Sequence, residues 1–594
     1  MTDQAPQDRT APAPMVRAVP VRAAEAARPD PEAHRTRRDF WLILLLAASF
    51  RLPLLVLTTG FDYWFYRGLG SLSDLGFYPY LDYWVEYPPV FPWLAVAAYR
   101  VTLLFPPTLF DDFAASYHLV LGSVMVLADL VVVALVGALS LRLAPREEGL
   151  RRMILYAALA WPIIVAIGWY DSLPCALLFI GLWLLLRGQG LEAGAITGLG
   201  FMTKIFPAIL VPVGLKFLPQ RRERLALVVG AAVVTLLIAA PFLVVSPTYF
   251  IASYRTIFAR SSWETIWALL DGYYSYGKVA PLGVRFDPTT ADYIAFRSRV
   301  PTLPIALGFA ALYAILWFRP VARTPRNLTL FAAISTVGFL LYSKGYSPQF
   351  IIYVLPFIVV LLPWRRAIGY SLALSAFNLL EWPLYHEWFG AVPWLLGLAV
   401  VGRTALWLGL IWEWLAELWG WENRLATLQL DRRKVLIGAV ALIPVVCLAT
   451  IIAWRDWTAA YYDGSPLRPA FDFVRRYDPA PVEEAAFVFA DSALYQQFHP
   501  YFWRSGDFHL FRPATAGDDT IKNARLTPEG RRTELARIVG DHRLVFFVRN
   551  ADDWTSRDLN DWLSNNLRLV ATTRVGNADL SVWQVAEPGR VPKP

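Results

Sequence analysis

Apolar runs follow one another along most of the chain, at 40–58, 114–142, 153–169, 172–187, 190–204, 205–218, 224–245, 301–318, 327–343, 349–364, 367–384, 391–412 and 434–454. A helix needs roughly 20 apolar residues to cross the hydrocarbon core of a bilayer, so the pattern predicts an α-helical polytopic membrane protein with about thirteen transmembrane helices. Several runs are shorter than that. The pairs that meet at Tyr170-Asp171 and at Lys204 fit either helices joined by tight turns or broken, re-entrant elements. After Trp454 short apolar strands (485–491, 543–550 and two near the end) alternate with amphipathic stretches around Glu534–Val539 and Ser556–Leu563. That alternation predicts a small soluble α/β domain over 457–594.

Composition agrees with the pattern. The chain is 56% hydrophobic, 15% aromatic and only 17% charged, too apolar for an ordinary soluble protein. A formal charge of +8 would suggest a nucleic-acid partner in a soluble chain, but the arginines sit in short turns between apolar runs. With the amino terminus inside, the cytoplasmic turns hold Arg146, Arg151 and Arg152, then Arg187, Arg221–Arg224, Arg319–Arg326, Arg365 with Arg366, and Arg432–Lys434. Each is basic, as orientation by positive charge requires. Counting 87–105 as a full crossing would break that agreement, so Trp93, Tyr99 and their prolines are assigned to an interfacial helix. Residues 1–38, ending in a basic cluster, are expected to form a disordered cytoplasmic tail before an uncleaved signal anchor. Residues 39–456 would then form the membrane domain, with outer loops at 60–113 and 247–300 and the carboxyl-terminal domain extracytoplasmic.

The two cysteines, Cys175 and Cys447, both lie in apolar runs, so neither a disulfide framework nor a thiolate metal site is indicated. There is no Gly-rich phosphate loop, HExxH or paired CxxC. The predicted outer side collects instead Asp62, Asp74, Asp82, Glu86, Asp171, Lys204, Lys344 and the Glu381–Glu387 cluster. Asp62 follows the first span directly, which puts a carboxylate at the water–lipid boundary where a lipid-linked head group would lie. Lys204 and Lys344 are isolated outer-side cations that orientation does not explain. They are candidate phosphate ligands, and snorkelling to lipid head groups accounts for them equally. Arg255 and Arg260, beside Tyr254 and Trp263, offer bidentate alternatives. Asp171 either caps a helix or orients a substrate. The Glu381 to His386-Glu387 cluster is expected to be a turn and not a metal site; a divalent ion is neither required nor excluded.

Four segments in order resemble the glycosyltransferase-C superfamily, especially its bacterial members that use polyprenyl-phosphate sugars and are mannosyltransferase-like. They are Asp62 with Glu86-Tyr87-Pro88-Pro89, GWYDSLP at 168–174, GLGFMTKIFP at 198–207 and SKGYSPQF at 343–350. The resemblance spans roughly 40–390. It implies Asp62 as catalytic base, with Asp82 and Glu86 as alternatives in the same loop. Donor-phosphate contacts are expected from Lys204 and Lys344, which lie in these segments, and from Arg255 and Arg260 by the reading above; substrate contacts are expected from Tyr87, Asp171, Tyr346 and Gln349. No cofactor follows beyond the lipid-linked donor itself. The acceptor would be a glycolipid, glycan or protein. The chemistry suits a single carboxylate, because a phosphate leaving group needs no proton and only the attacking hydroxyl requires a base. A transporter or lipid flippase is the rival from another class, and a glycan ligase using a diphosphate-linked donor is a third reading.

Overall fold

The computed structural model describes residues 31–57, 62–105, 113–277, 282–292, 298–388, 392–422, 468–477, 485–490, 494, 507–510, 528–550, 557–575 and 578–585. The expected last span at 434–454, Cys447 and the basic turn at 432–434 lie outside them.

Each of the other apolar runs is largely helical. Helices Phe113–Leu143, Arg221–Val245 and Pro393–Trp419 are long and apolar enough to cross a membrane singly. A fourth candidate is the pair Arg146–Ala158 and Ala160–Gly168, bent by 48°. The bend has a local cause: Leu159 is extended (φ −67°, ψ 133°), and Pro162 cannot donate to the Ala158 carbonyl four residues earlier. The first helix begins at Pro31, so residues 31–38 are helical and not part of a disordered tail; Arg146 reaches back from its turn to Thr36 and Asp39. The segment read as interfacial is a 13-residue helix, Val90–Thr102, lying against Tyr63–Ser71 and Phe113–Leu143.

Small residues set the closest helix contact. Gly190, Gly194 and Gly198 recur every fourth residue on Gly190–Phe201, and a side chain at Gly194 would strike the Leu227 carbonyl of Arg221–Val245. Without a strong hydrophobic drive between helices in lipid, such backbone-to-backbone contact is what holds two helices in register. It also fixes where Gly190–Phe201 ends, and Lys204 follows that end.

The carboxyl-terminal region is a five-stranded sheet in the order β2-β1-β3-β5-β4, built from β1 Ala485–Phe489, β2 Asp507–Leu510, β3 Leu544–Asn550, β4 Arg568–Val575 and β5 Ala578–Gln584. The β2-β1-β3 part is parallel, and β3-β5-β4 is antiparallel. Alternate residues of β1 serve two cores: Phe487 and Phe489 face Phe473 and Val474 of helix Arg468–Tyr477, whereas Ala486 and Val488 face Leu535, Val539, Leu559 and Leu563 of the helices on the other side. A strand apolar on both faces needs a helical layer on each.

Candidate functional site

Asp62 is the residue from which helix Tyr63–Ser71 starts. Its carbonyl accepts from the Phe65 and Tyr66 amides, but its side chain makes no capping bond. The carboxylate is free for other work and receives the Tyr66 hydroxyl at 3.4 Å. Burial lifts it from the usual carboxylate range to about 7; the charge of Asp171 raises it further, while the Tyr66 bond and the charge of Lys204 pull it back. Asp62, Asp171 and Lys204 therefore share one electrostatic neighbourhood, although they lie on three separate segments.

Asp171 stands at the start of helix Ser172–Leu186 and makes no cap bond either. Of its two sequence readings, the cap is not met. Asp171 instead pairs with the Lys204 ammonium and accepts the Tyr353 hydroxyl, with its second oxygen buried and unpartnered. Lys204 is held among rings, 4.1 Å from the Phe350 centroid and 5.0 Å from that of Tyr170.

Glu86 is buried in a two-pronged pair with Arg285, one arm at 3.1 Å. Arg285 was not singled out in the sequence, where it is one cation in a long loop; its backbone carbonyl also accepts the Trp84 amide and ties that loop to the first. Asp82 is buried and accepts the Tyr78 amide at 2.8 Å within its own turn. Asp62 combines its lifted pKa with the neighbourhood of Lys204. Tyr87 packs on Tyr170 at 5.2 Å and on Phe91, beside Glu86.

Arg260 closes the group. Its guanidinium stacks on Trp263 at 4.0 Å and donates to the Gly277 carbonyl at 3.1 Å, within electrostatic reach of Glu86, Tyr87 and Lys204. Trp263 is itself fixed: its amide donates to the Lys344 carbonyl, its carbonyl accepts the Tyr346 amide, and its indole donates to Ser347. Lys204 is occupied by Asp171 and Arg285 by Glu86. Arg260 is thus the cation of this group that has no carboxylate partner among the described residues, as Asp62 is the carboxylate without a paired cation.

The remaining candidates lie elsewhere. Arg255 is half exposed in a pair with Asp292 at the edge of an apolar groove of about 550 Å³ lined by Leu243, Phe250 and Phe258. The Lys344 ammonium points to Ser298 and the Val300 carbonyl. Tyr346 is buried, donating to Asn378 and stacked at 3.6 Å under Arg403. Gln349 is half-buried in the turn Pro348–Tyr353. In the Glu381–Glu387 cluster Glu381 pairs with Arg403 and His386 with Glu264, and no three potential metal ligands converge among the described residues.

A bundle of apolar helices with this mixed-charge group at the loop junctions is the arrangement that the four ordered segments lead one to expect of a membrane glycosyltransferase of the C type. The sequence model of glycosyltransferase family 87 matches residues 87–343 of the chain. That stretch holds Tyr87, Asp171, Lys204 and Arg260, and Asp62 precedes it. No curated protein matches the chain in sequence. Among solved structures it is similar to ArnT from Cupriavidus metallidurans bound to undecaprenyl phosphate (17% identity, 95% of this chain and 99% of that one, TM-score 0.45). It is also similar to the Archaeoglobus fulgidus oligosaccharyltransferase, in a complex with zinc and sulfate (14% identity, 86% and 68% coverage, TM-score 0.31) and tethered to an acceptor peptide (14%, 86% and 69%, TM-score 0.31).

Proposed function

We propose that the protein transfers a sugar, mannose or another hexose, with inversion from a polyprenyl-phosphate donor to a glycolipid, glycan or protein acceptor at the outer membrane face. The observation that carries this reading is the juxtaposition of Asp62, lifted to about 7, with Lys204, which Arg260 neighbours in turn. A general base works best when its pKa lies near the operating pH, and a carboxylate at about 7 removes a hydroxyl proton far better than one at its usual value.

In this reading the acceptor hydroxyl gives its proton to Asp62 as its oxygen bonds to the anomeric carbon. The bond from that carbon to the phosphate oxygen breaks, and polyprenyl phosphate leaves with the bonding electrons. Arg260 holds the departing phosphate by two parallel hydrogen bonds, and Lys204 adds a second positive charge. Tyr66 orients the base, while Tyr87 and Tyr170 offer ring faces to the sugar. About thirteen helices cross the membrane, the amino terminus is cytoplasmic, and 457–594 is an extracytoplasmic domain.

The test is incubation of purified protein with labelled polyprenyl-phosphate mannose and a crude lipid extract, with Asp62→Asn alongside. Label should pass to an acceptor with wild type, and about 100-fold or more slowly with the variant. Label that crosses a sealed vesicle without a new glycosidic bond would show a flippase instead.

A further inference from the structure

Arg67 lies within helix Tyr63–Ser71 and is only 5% exposed. Its Nε has no hydrogen-bond partner, and no carboxylate pairs with it among the described residues. Every other buried arginine among the described residues has such a partner: Arg51 has Asp129, Arg152 has Glu148, Arg285 has Glu86, Arg403 has Glu381 and Arg531 has Asp558. A guanidinium cannot discharge itself by losing its proton, so enclosing one without a counter-ion is strongly unfavourable unless an anion arrives from outside.

The surroundings are polar in the same unfinished way. Tyr63, one turn earlier on the same helix face, has a buried hydroxyl without a partner, and its ring abuts His118 at 4.6 Å. The Tyr117 hydroxyl lies within electrostatic reach of Arg67. Tyr63 and Arg67 thus each leave a buried donor that no protein acceptor meets. From Asp62 to Arg67 the helix advances about 7.5 Å and turns about 140°, so the two side chains leave it on different sides. A group held by Arg67 therefore lies on another side of this helix from Asp62.

The geometry points to a second anion subsite at Arg67, with the Tyr63 hydroxyl as co-donor, that takes a phosphate or carboxylate of a substrate bound beside Asp62. The identity of that ligand as substrate rests on the glycosyl-transfer reading; the binding of an anion does not. An oxyanion there turns an unpaired buried cation into a bidentate pair and fixes a substrate at a point remote from the reacting carbon.

The experiment uses the full-length protein in nanodiscs of zwitterionic lipid, with melting followed against inorganic phosphate and, separately, against undecaprenyl phosphate. Wild type, Arg67→Met and Tyr63→Phe are compared. Both probes should stabilise wild type, and Arg67→Met should weaken inorganic phosphate about tenfold or more while the ligand-free variant melts no lower than wild type. Tyr63→Phe removes a hydroxyl that makes no bond in the protein, so it should fold normally and weaken the same probe about three-fold or more. A loss confined to inorganic phosphate assigns the subsite to an acceptor anion; a loss confined to undecaprenyl phosphate would put Arg67 in the donor-phosphate grip and overturns a second subsite. Unchanged affinity for both probes in Arg67→Met, or in Tyr63→Phe should Arg67→Met not fold, overturns the proposal. So does wild type that neither probe stabilises. These readouts need no turnover: a protein that binds the anion through Arg67 yet transfers no sugar would refute the enzymatic reading and leave the subsite standing.

Discussion

The Asp171 carboxylate, bound to Lys204, lies close enough to Asp62 to oppose its ionisation, and burial acts in the same direction. The base and the cation of this site are therefore electrically linked through a third residue.

The first consequence is a pH dependence. Asp62 acts as a base only when ionised, so kcat/KM should rise with pH through about 7 and level off above it. Asp171→Asn removes a negative neighbour and should move that limb to lower pH; Lys204→Met removes a positive one and should move it up. A limb that stays in place in both variants would exclude Asp62 as the titrating group.

Stability separates the chemical carboxylate from a structural one. Because the pKa of Asp62 is raised in the folded state, its contribution to stability is present below about pH 4, its unfolded range, and is lost as pH rises through 7. Asp62→Asn should thus melt no lower than wild type at pH 8 while losing activity. Glu86→Gln should do the reverse: it strands the buried Arg285 guanidinium and should cost about 3–5 kcal/mol. Thermal melting of both variants at pH 8 checks the contrast.

Gly345 tests how the donor is held. A side chain there would collide with the Trp263 ring, on which Arg260 is stacked. Gly345→Ala should displace Trp263 and with it Arg260, raising KM for the lipid-linked donor about tenfold with a smaller fall in kcat. Equal donor affinity in this variant and wild type would remove Arg260 from phosphate binding.

Charge alone should not replace Arg260. Arg260→Lys keeps one positive charge but loses the planar stack on Trp263 and the two-pronged grip, so donor binding should weaken about tenfold. Binding of undecaprenyl phosphate to the purified variant measures it.

Much of this was legible along the chain. The apolar runs mark the helices, since Phe113–Leu143 and Thr302–Phe318 differ from the sequence reading by a residue or so at each end. Strands β1 and β3 stand out as short apolar bursts between charged stretches. Strand β2, of four residues, and the helix Arg468–Tyr477 give no comparable signal and were missed. The ordered segments around Asp62, Asp171 and Lys204 pointed to the site because their residue types are out of place beside membrane spans.

Partnership was not legible. Lys204, Lys344, Arg255 and Arg260 are alike as isolated cations in the sequence, yet one faces Asp171, one faces the 298–300 backbone, one sits half exposed against Asp292 and one is stacked on Trp263. Glu86 and Arg285 are 199 positions apart. Period and composition act locally, through the transfer of apolar surface and the demands of helical hydrogen bonding, and they determined which segments are helix, strand or loop. Which buried charge meets which depends on how the helices pack, and only the tertiary structure decided that Asp62, Arg260 and Arg67 remain without a paired charge.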